Sequence, residues 1–222
     1  MELKVIHLDR IPRIGAEDGR GNVFMFDTKT LKNQDNYIQT KIGIGDKLTL
    51  NTDKRKSFTY NKRLRLEPPS EMLDFLNSHS ILQGPDYAGS EMLKYETGDF
   101  FMNHTDTIMS DPNGIGEHKY TCLIYGTFEQ ENGYFEGGEL VFKHPEGLYN
   151  IKLDVSNEIT KNKYVAVIFS VNMYHEILPI INGTRYVLKK PLFVRTPVPP
   201  KPYNPDDLEG DGGFQFNGNS DY

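Results

Sequence analysis

Apolar and polar residues alternate along most of this chain with the two-residue period of strands, and one stretch carries the longer period of a helix. Leu3 and Val5 against Lys4 and His7 predict an opening strand over Leu3 to Leu8. Val23 to Phe26 reads as a short apolar strand. Tyr37 to Ile44 and Lys47 to Leu50 read as two more, joined by Gly43-Ile44-Gly45-Asp46. The basic stretch Lys54-Arg55-Lys56 and Lys62-Arg63-Leu64-Arg65-Leu66 reads as a solvated strand face with Leu64 and Leu66 turned inward, or as a rim that attracts an acidic substrate. Pro68-Pro69 stops that strand. Ser70 as N-cap, Glu71 in the first turn and Met72, Leu73 and Leu76 at helical spacing predict a helix that Asn77 to Gln83 ends.

From there the pattern is all strand: Gly89 to Tyr95, Lys119 to Phe128, Glu139 to Lys143, Asn150 to Val155, Lys163 to Ser170, Tyr174 to Pro179 and Thr184 to Arg195. Gly and Asn clusters at Asp111 to Gly116, Glu131 to Gly138 and Ser156 to Asn162 predict turns between them. Short strands at even spacing predict a mainly β fold with a jelly-roll core and at least one N-terminal supporting helix. The expected division is 1–88 as strands and helix packed on the core, 89–196 as the core itself, and 197–222 as a tail. Pro197, Pro199, Pro200, Pro202 and Pro205 followed by an acidic, Gly-rich end predict a loosely attached, disordered tail, or a flap over the site.

Composition narrows the class. At 222 residues the chain suits one domain with a sizeable core, and 13 Tyr and 13 Phe supply large rings to fill it. Net charge is 25 − 31 = −6, which argues against a general nucleic-acid binder. A single Cys122 excludes an internal disulfide and fits a reducing compartment. No apolar run follows Met1 to Arg10 and none approaches a membrane span, so the expected location is intracellular and cytoplasmic. The sequons at Asn103 and Asn182 overlap the candidate chemistry and read as coincidences.

That chemistry begins at His104-Thr105-Asp106. An imidazole and a carboxylate two residues apart point to one side of an extended strand and can grip one metal ion together. Far downstream, the buried-strand pattern Val165 to Ser170 leads into Tyr174-His175-Glu176. His175 would complete two His and one carboxylate on one face of an iron, the arrangement of non-haem Fe(II) oxygenases. Arg185 follows ten residues later, across what reads as a hairpin, close enough for its guanidinium to reach the same cavity. His7, His79, His118 and His144 lack a carboxylate partner in such a context and read as surface or packing residues.

Tyr95-x-x-Gly98 through His104-x-Asp106, then Gly137-Gly138-Glu139-Leu140, then His175 with Pro179, Gly183 and Arg185, resembles the Fe(II)- and 2-oxoglutarate-dependent dioxygenases, most closely the prolyl 4-hydroxylase type. The resemblance covers Gly89 to Arg195 and implies a double-stranded β-helix, cupin-like core. It implies that His104, Asp106 and His175 hold Fe(II), and that Arg185, with Tyr125 and Tyr95, receives 2-oxoglutarate. Collagen-type members carry Lys where this chain has Arg185, and oxygen-sensing members carry Arg. The implied reaction consumes O₂ and 2-oxoglutarate, releases succinate and CO₂, and hydroxylates a substrate carbon, with ascorbate admitted as reductant. The expected partner is a proline-containing protein or peptide. The rivals are another side chain, a small molecule or a nucleic acid base, and a non-catalytic metal-binding jelly roll. Against bases stand the acidic charge and the lack of a second Arg close behind Arg185, since Arg195 lies ten residues on.

Overall fold

The computed structural model describes residues 3–9, 13–17, 23–25, 37–40, 42–44, 47–60, 64–82, 89–109, 114, 116–126, 135–144, 146, 150–161 and 164–196. The tail at 197–222, Lys62-Arg63 and the expected turns at 45–46, 111–113 and 131–134 lie outside the described residues.

Two antiparallel sheets make the core, with strands numbered in chain order. The larger runs β1 (Leu3–Leu8), β16 (Tyr164–Ser170), β12 (Gly116–Gly126), β19 (Thr184–Arg195), β10 (Glu91–Glu96), β8 (Phe58–Tyr60) and β4 (Tyr37–Gln39). The smaller runs β15 (Asn150–Leu153), β14 (Leu140–Lys143), β17 (Tyr174–Ile177), β11 (Phe100–His104) and β7 (Arg55–Lys56). Pairs β13 (Glu136–Gly137) with β18 (Ile180–Asn182) and β5 (Ile42–Ile44) with β6 (Lys47–Thr49), and the ribbon β3 (Val23–Met25), β2 (Arg13–Glu17), β9 (Leu64–Glu67), complete the strands. From β10 onward the chain switches between the two sheets at almost every connection. That is the winding of a double-stranded β-helix, and the mainly β jelly roll expected from the pattern is what forms.

Alternation within strands builds two cores. On β16, Val165, Val167 and Phe169 face inward with Leu93, Tyr95, Leu123, Tyr125 and Val187 against Leu140, Phe142 and Ile177 of the smaller sheet. Ala166 and Ile168 face the other way, packing with Leu188, Leu192 and the helix α1 (Ser70–Ser78) through Met72, Phe75 and Leu76. Burial on both faces explains why β16 reads as a continuous apolar run rather than an alternating one.

The structure corrects several local expectations. Ser70 is inside α1 and Pro69 is the N-cap residue, its extended backbone (φ −67°, ψ 155°) setting the entry while the Ser70 hydroxyl turns to Glu71. A second helix, α2 (Val155–Lys161), forms where turns were expected. The Asp154 carboxylate accepts from the Asn157 N–H at 3.1 Å and the Ser156 hydroxyl at 2.7 Å, which satisfies first-turn donors. Val155 and Ile159, one turn apart, then bury into the inner core. Tyr37 to Ile44 is not one strand: after Thr40, whose N–H goes to the Ser57 carbonyl, the chain leaves the large sheet and Ile42–Ile44 pairs with Lys47–Thr49. His175 and Arg185 are not on a hairpin, because β17 and β19 belong to different sheets and face each other across the core.

Candidate metal centre

Strand register brings the first two groups together. β11 and β17 are neighbours, and His104 sits directly opposite His175, with ring centroids 4.2 Å apart. β11 ends at His104, so the expected single strand through Asp106 is broken. The Asp106 N–H donates instead to the Val171 carbonyl at 3.1 Å, beyond the end of β16, and this contact draws the carboxylate back over the two imidazoles. The ligand atoms of His104, Asp106 and His175 all lie within 4.8 Å of one another. Phe101 stacks on His104 at 3.5 Å between centroids, and Phe169 meets His175 edge-on at 4.7 Å, fixing both rings.

Hydrogen bonds settle which nitrogens remain. Nδ1 of His104 lies 2.8 Å from the Met102 carbonyl, and Nδ1 of His175 lies 2.9 Å from the Met173 carbonyl. A carbonyl only accepts, so each Nδ1 carries the proton and each Nε2 keeps its lone pair for a metal. Burial, and then the neighbouring His175, take His104 down to about 3; burial lowers His175 as well. Both rings are therefore neutral at pH 7, the form that ligates. Burial pushes the Asp106 carboxyl up, but the Lys189 charge and hydrogen bonds from Lys189 and Thr121 outweigh it and bring it well below the usual carboxylate range, so the group is ionised. Two neutral imidazoles and one carboxylate are a donor set that would suit a first-row divalent metal such as Fe(II).

Facing this cluster, β19 and β10 set Arg185 opposite Tyr95. Arg185 is 0% exposed, with its guanidinium 4.4 Å from the Tyr95 ring and 5.5 Å from the Tyr125 ring. Its Nη1 donates to the Gly138 carbonyl at 2.5 Å. The Nε and Nη2 donors and the hydroxyls of Tyr95 and Tyr125 have no hydrogen-bond partner among the described residues. No carboxylate among the described residues pairs with this buried cation, and its idle donors are of the kind that can receive an anion. Gly137 and Gly138 make the approach feasible: both have positive φ (76° and 65°), and a Cβ on Gly138 would lie 3.2 Å from Arg185 Nη1.

A cavity of about 650 Å³ opens beside His104 and Asp106, bordered also by Ile38, Arg55, Phe101, Met102 and Lys189 among others. Arg185 is not among the residues that border it; its guanidinium lies deeper, against the Tyr95, Tyr125 and Phe135 rings. Two residues of this cavity escaped sequence reasoning. Lys189 places Nζ 2.6 Å from Asp106 Oδ1, and its only sequence signal is even spacing from Arg185 on one strand face. His118, read as a loop residue, is 2% exposed on β12, and its Nδ1 accepts from the Met109 N–H at 3.2 Å.

Residues 90–190 match the family model of the 2OG-Fe(II) oxygenase superfamily. That stretch carries a 2OG-Fe(II) oxygenase domain. The oxygenase is similar to an oxidoreductase of the 2OG-Fe(II) oxygenase family from Burkholderia pseudomallei, at 14% identity over 76% of this chain and 77% of that one, TM-score 0.42. It is similar to a Pseudomonas putida prolyl-4-hydroxylase at 13% identity, covering 76% and 82% of the two chains, TM-score 0.44. A Trichoplax adhaerens prolyl hydroxylase, solved with a hypoxia inducible factor peptide fragment, matches at 16% identity over 75% and 74%, TM-score 0.46. The family implies Fe(II), 2-oxoglutarate and O₂ as its cofactor set. No helix among the described residues is long and apolar enough to cross a membrane.

Proposed function

We propose that this oxygenase hydroxylates an unactivated carbon in a protein or peptide, a prolyl residue first among the candidates. In this reading residues 89–196 are the catalytic core, 1–88 its support and 197–222 a tail. His104 and His175 through Nε2, with the Asp106 carboxylate, hold Fe(II). Arg185 takes the distal carboxylate of 2-oxoglutarate, and the Tyr95 and Tyr125 hydroxyls add neutral donors beside it. When bound, the iron and 2-oxoglutarate supply activation of O₂ coupled to decarboxylation, yielding succinate and CO₂. Ascorbate is the reductant proposed to keep the iron ferrous.

The chain's own residues contribute placement and exclusion. Phe101, Phe169 and the two backbone carbonyls lock the imidazoles in their ligating orientation. Tyr95, Tyr125 and Phe135 keep water from Arg185, so each hydrogen bond formed there is stronger than at the surface. The cavity beside His104 and Asp106 offers apolar Ile38, Met102 and Met109 on its rim, 56%, 51% and 41% exposed, which supports a substrate with side chains to bury. The observation that carries the reading is the fully buried Arg185 with idle donors, on the sheet that faces two histidines and an aspartate gathered around one point.

The test is a panel of proline-containing peptides incubated with enzyme, Fe(II), 2-oxoglutarate and ascorbate, read by mass and succinate release. A gain of one oxygen on proline supports the reading. Succinate without any modified peptide moves the substrate to small molecules or other groups, and no succinate under any condition refutes the cofactor assignment.

A further inference from the structure

Both carboxylate oxygens of Asp106 are engaged by side chains of the same chain. Thr121 Oγ1 donates to Oδ2 at 2.5 Å, and Lys189 Nζ lies 2.6 Å from Oδ1. The carboxylate is nearly buried while Lys189 keeps about a quarter of its side chain exposed, at 27% against 4%. A buried carboxylate without a counter-charge is strongly disfavoured, and Lys189 is the cation set against Asp106. The same demand would be met by a divalent ion, and two cations against one carboxylate oxygen repel each other. Lysine suits the role. Its charge is compact, its stem is flexible, and the cavity that Lys189 borders gives the ammonium somewhere hydrated to go.

We propose that Lys189 is a positioning residue acting through Asp106: it supplies the carboxylate's counter-charge and is displaced from Oδ1 when a metal binds. This rests on the metal-centre reading above. Lys189 thereby holds Asp106 in its ligating place, where a free aspartate would collapse onto other donors, and it sets metal affinity below what the three ligands alone would give. A metal with weak attraction for the carboxylate cannot displace it, so the lysine also screens which ions enter.

Binding of Mn²⁺, which does not oxidise during the measurement, tests this by calorimetry on the metal-free protein without 2-oxoglutarate. Lys189→Met is expected to bind Mn²⁺ about tenfold more tightly or better, the scale of one charge-assisted hydrogen bond no longer surrendered. Its metal-free form is expected to melt lower than wild type. Lys189→Arg, which retains the charge, is expected to keep wild-type affinity. Thr121→Val removes a neutral donor from the same carboxylate and is not expected to tighten binding. Equal or weaker Mn²⁺ binding by Lys189→Met overturns the proposal, and so does equal tightening by Thr121→Val. Failure of wild type and both Lys189 variants to bind Mn²⁺ at all overturns the metal centre itself.

Discussion

Replacing Arg185 with Met separates the cost of the guanidinium from its use. The charge is fully buried, makes one bond to the Gly138 carbonyl and leaves two donors without a partner among the described residues. The bond to Gly138 is worth about 1.5–3 kcal/mol as a charged hydrogen bond, and each idle donor costs about 1–3 kcal/mol. Burying the charge unpaired costs several kcal/mol more, and apolar replacement of buried charges is commonly neutral or stabilising. Arg185→Met should therefore melt with or above wild type in the absence of 2-oxoglutarate. Adding 2-oxoglutarate should invert the order. At about 100 times Kd the cosubstrate stabilises wild type by roughly 2.7 kcal/mol, or about 5–11 °C for a chain of this size. The variant, short of two charge-assisted bonds worth about 1.5–3 kcal/mol each, should show no shift at that concentration. Thermal unfolding with Mn²⁺ present, with and without 2-oxoglutarate, reads both numbers. A variant that melts well below wild type when ligand-free, yet gains as much from 2-oxoglutarate, would show that Arg185 is a structural cation and not a receptor.

Other consequences are more local. Gly138→Ala should cost about 1–2 kcal/mol for the left-handed backbone and, by pressing on Ile180 and Arg185 Nη1, should weaken 2-oxoglutarate binding more than metal binding; calorimetry with each ligand separates the two. His175→Ala should abolish metal-dependent succinate formation, and unchanged turnover would sink its role as a ligand. Lys190, 6% exposed, is taken by burial down to about 8, with neighbouring Cys122 pulling slightly the other way. Its folded-state pKa is below the unfolded value of 10.5, so the unfolded chain holds the proton more tightly and the penalty is full below pH 8, fading as pH rises toward 10.5. Lys190→Met should then stabilise the protein at pH 7 by up to about 3 kcal/mol and by almost nothing at pH 10.5, measured as the gap in denaturant midpoint.

The parts legible in the sequence are those that local pattern alone determines. His104-x-Asp106, the apolar run of β16 leading into His175, and Arg185 beyond it carry their chemistry in residue type and spacing, and the fold brings all four to one interior. The class of fold followed from strand after strand with turn residues between. α2 escaped because Ser156 and Asn157 look like turn residues; the signal was Asp154 as cap with Val155 and Ile159 one turn apart. Ser70 reads as a cap by residue type, but the extended backbone of Pro69 makes the proline the N-cap residue. Lys189 and His118 could not be singled out, since their meaning depends on which strand lies across from β19 and β12. The supposed hairpin from His175 to Arg185 failed for the same reason: ten residues can cross between sheets as easily as turn within one.

The central claim is that His104, Asp106, His175 and Arg185 form one site for iron and 2-oxoglutarate. An anaerobic absorbance titration of the metal-free protein, Fe(II) first and 2-oxoglutarate second, with Arg185→Met alongside, tests it without knowledge of the substrate. A visible metal-to-ligand charge-transfer band that requires both additions, and is weaker in the variant at equal cosubstrate, is the predicted result. Fe(II) binding with no band at any 2-oxoglutarate concentration would contradict it.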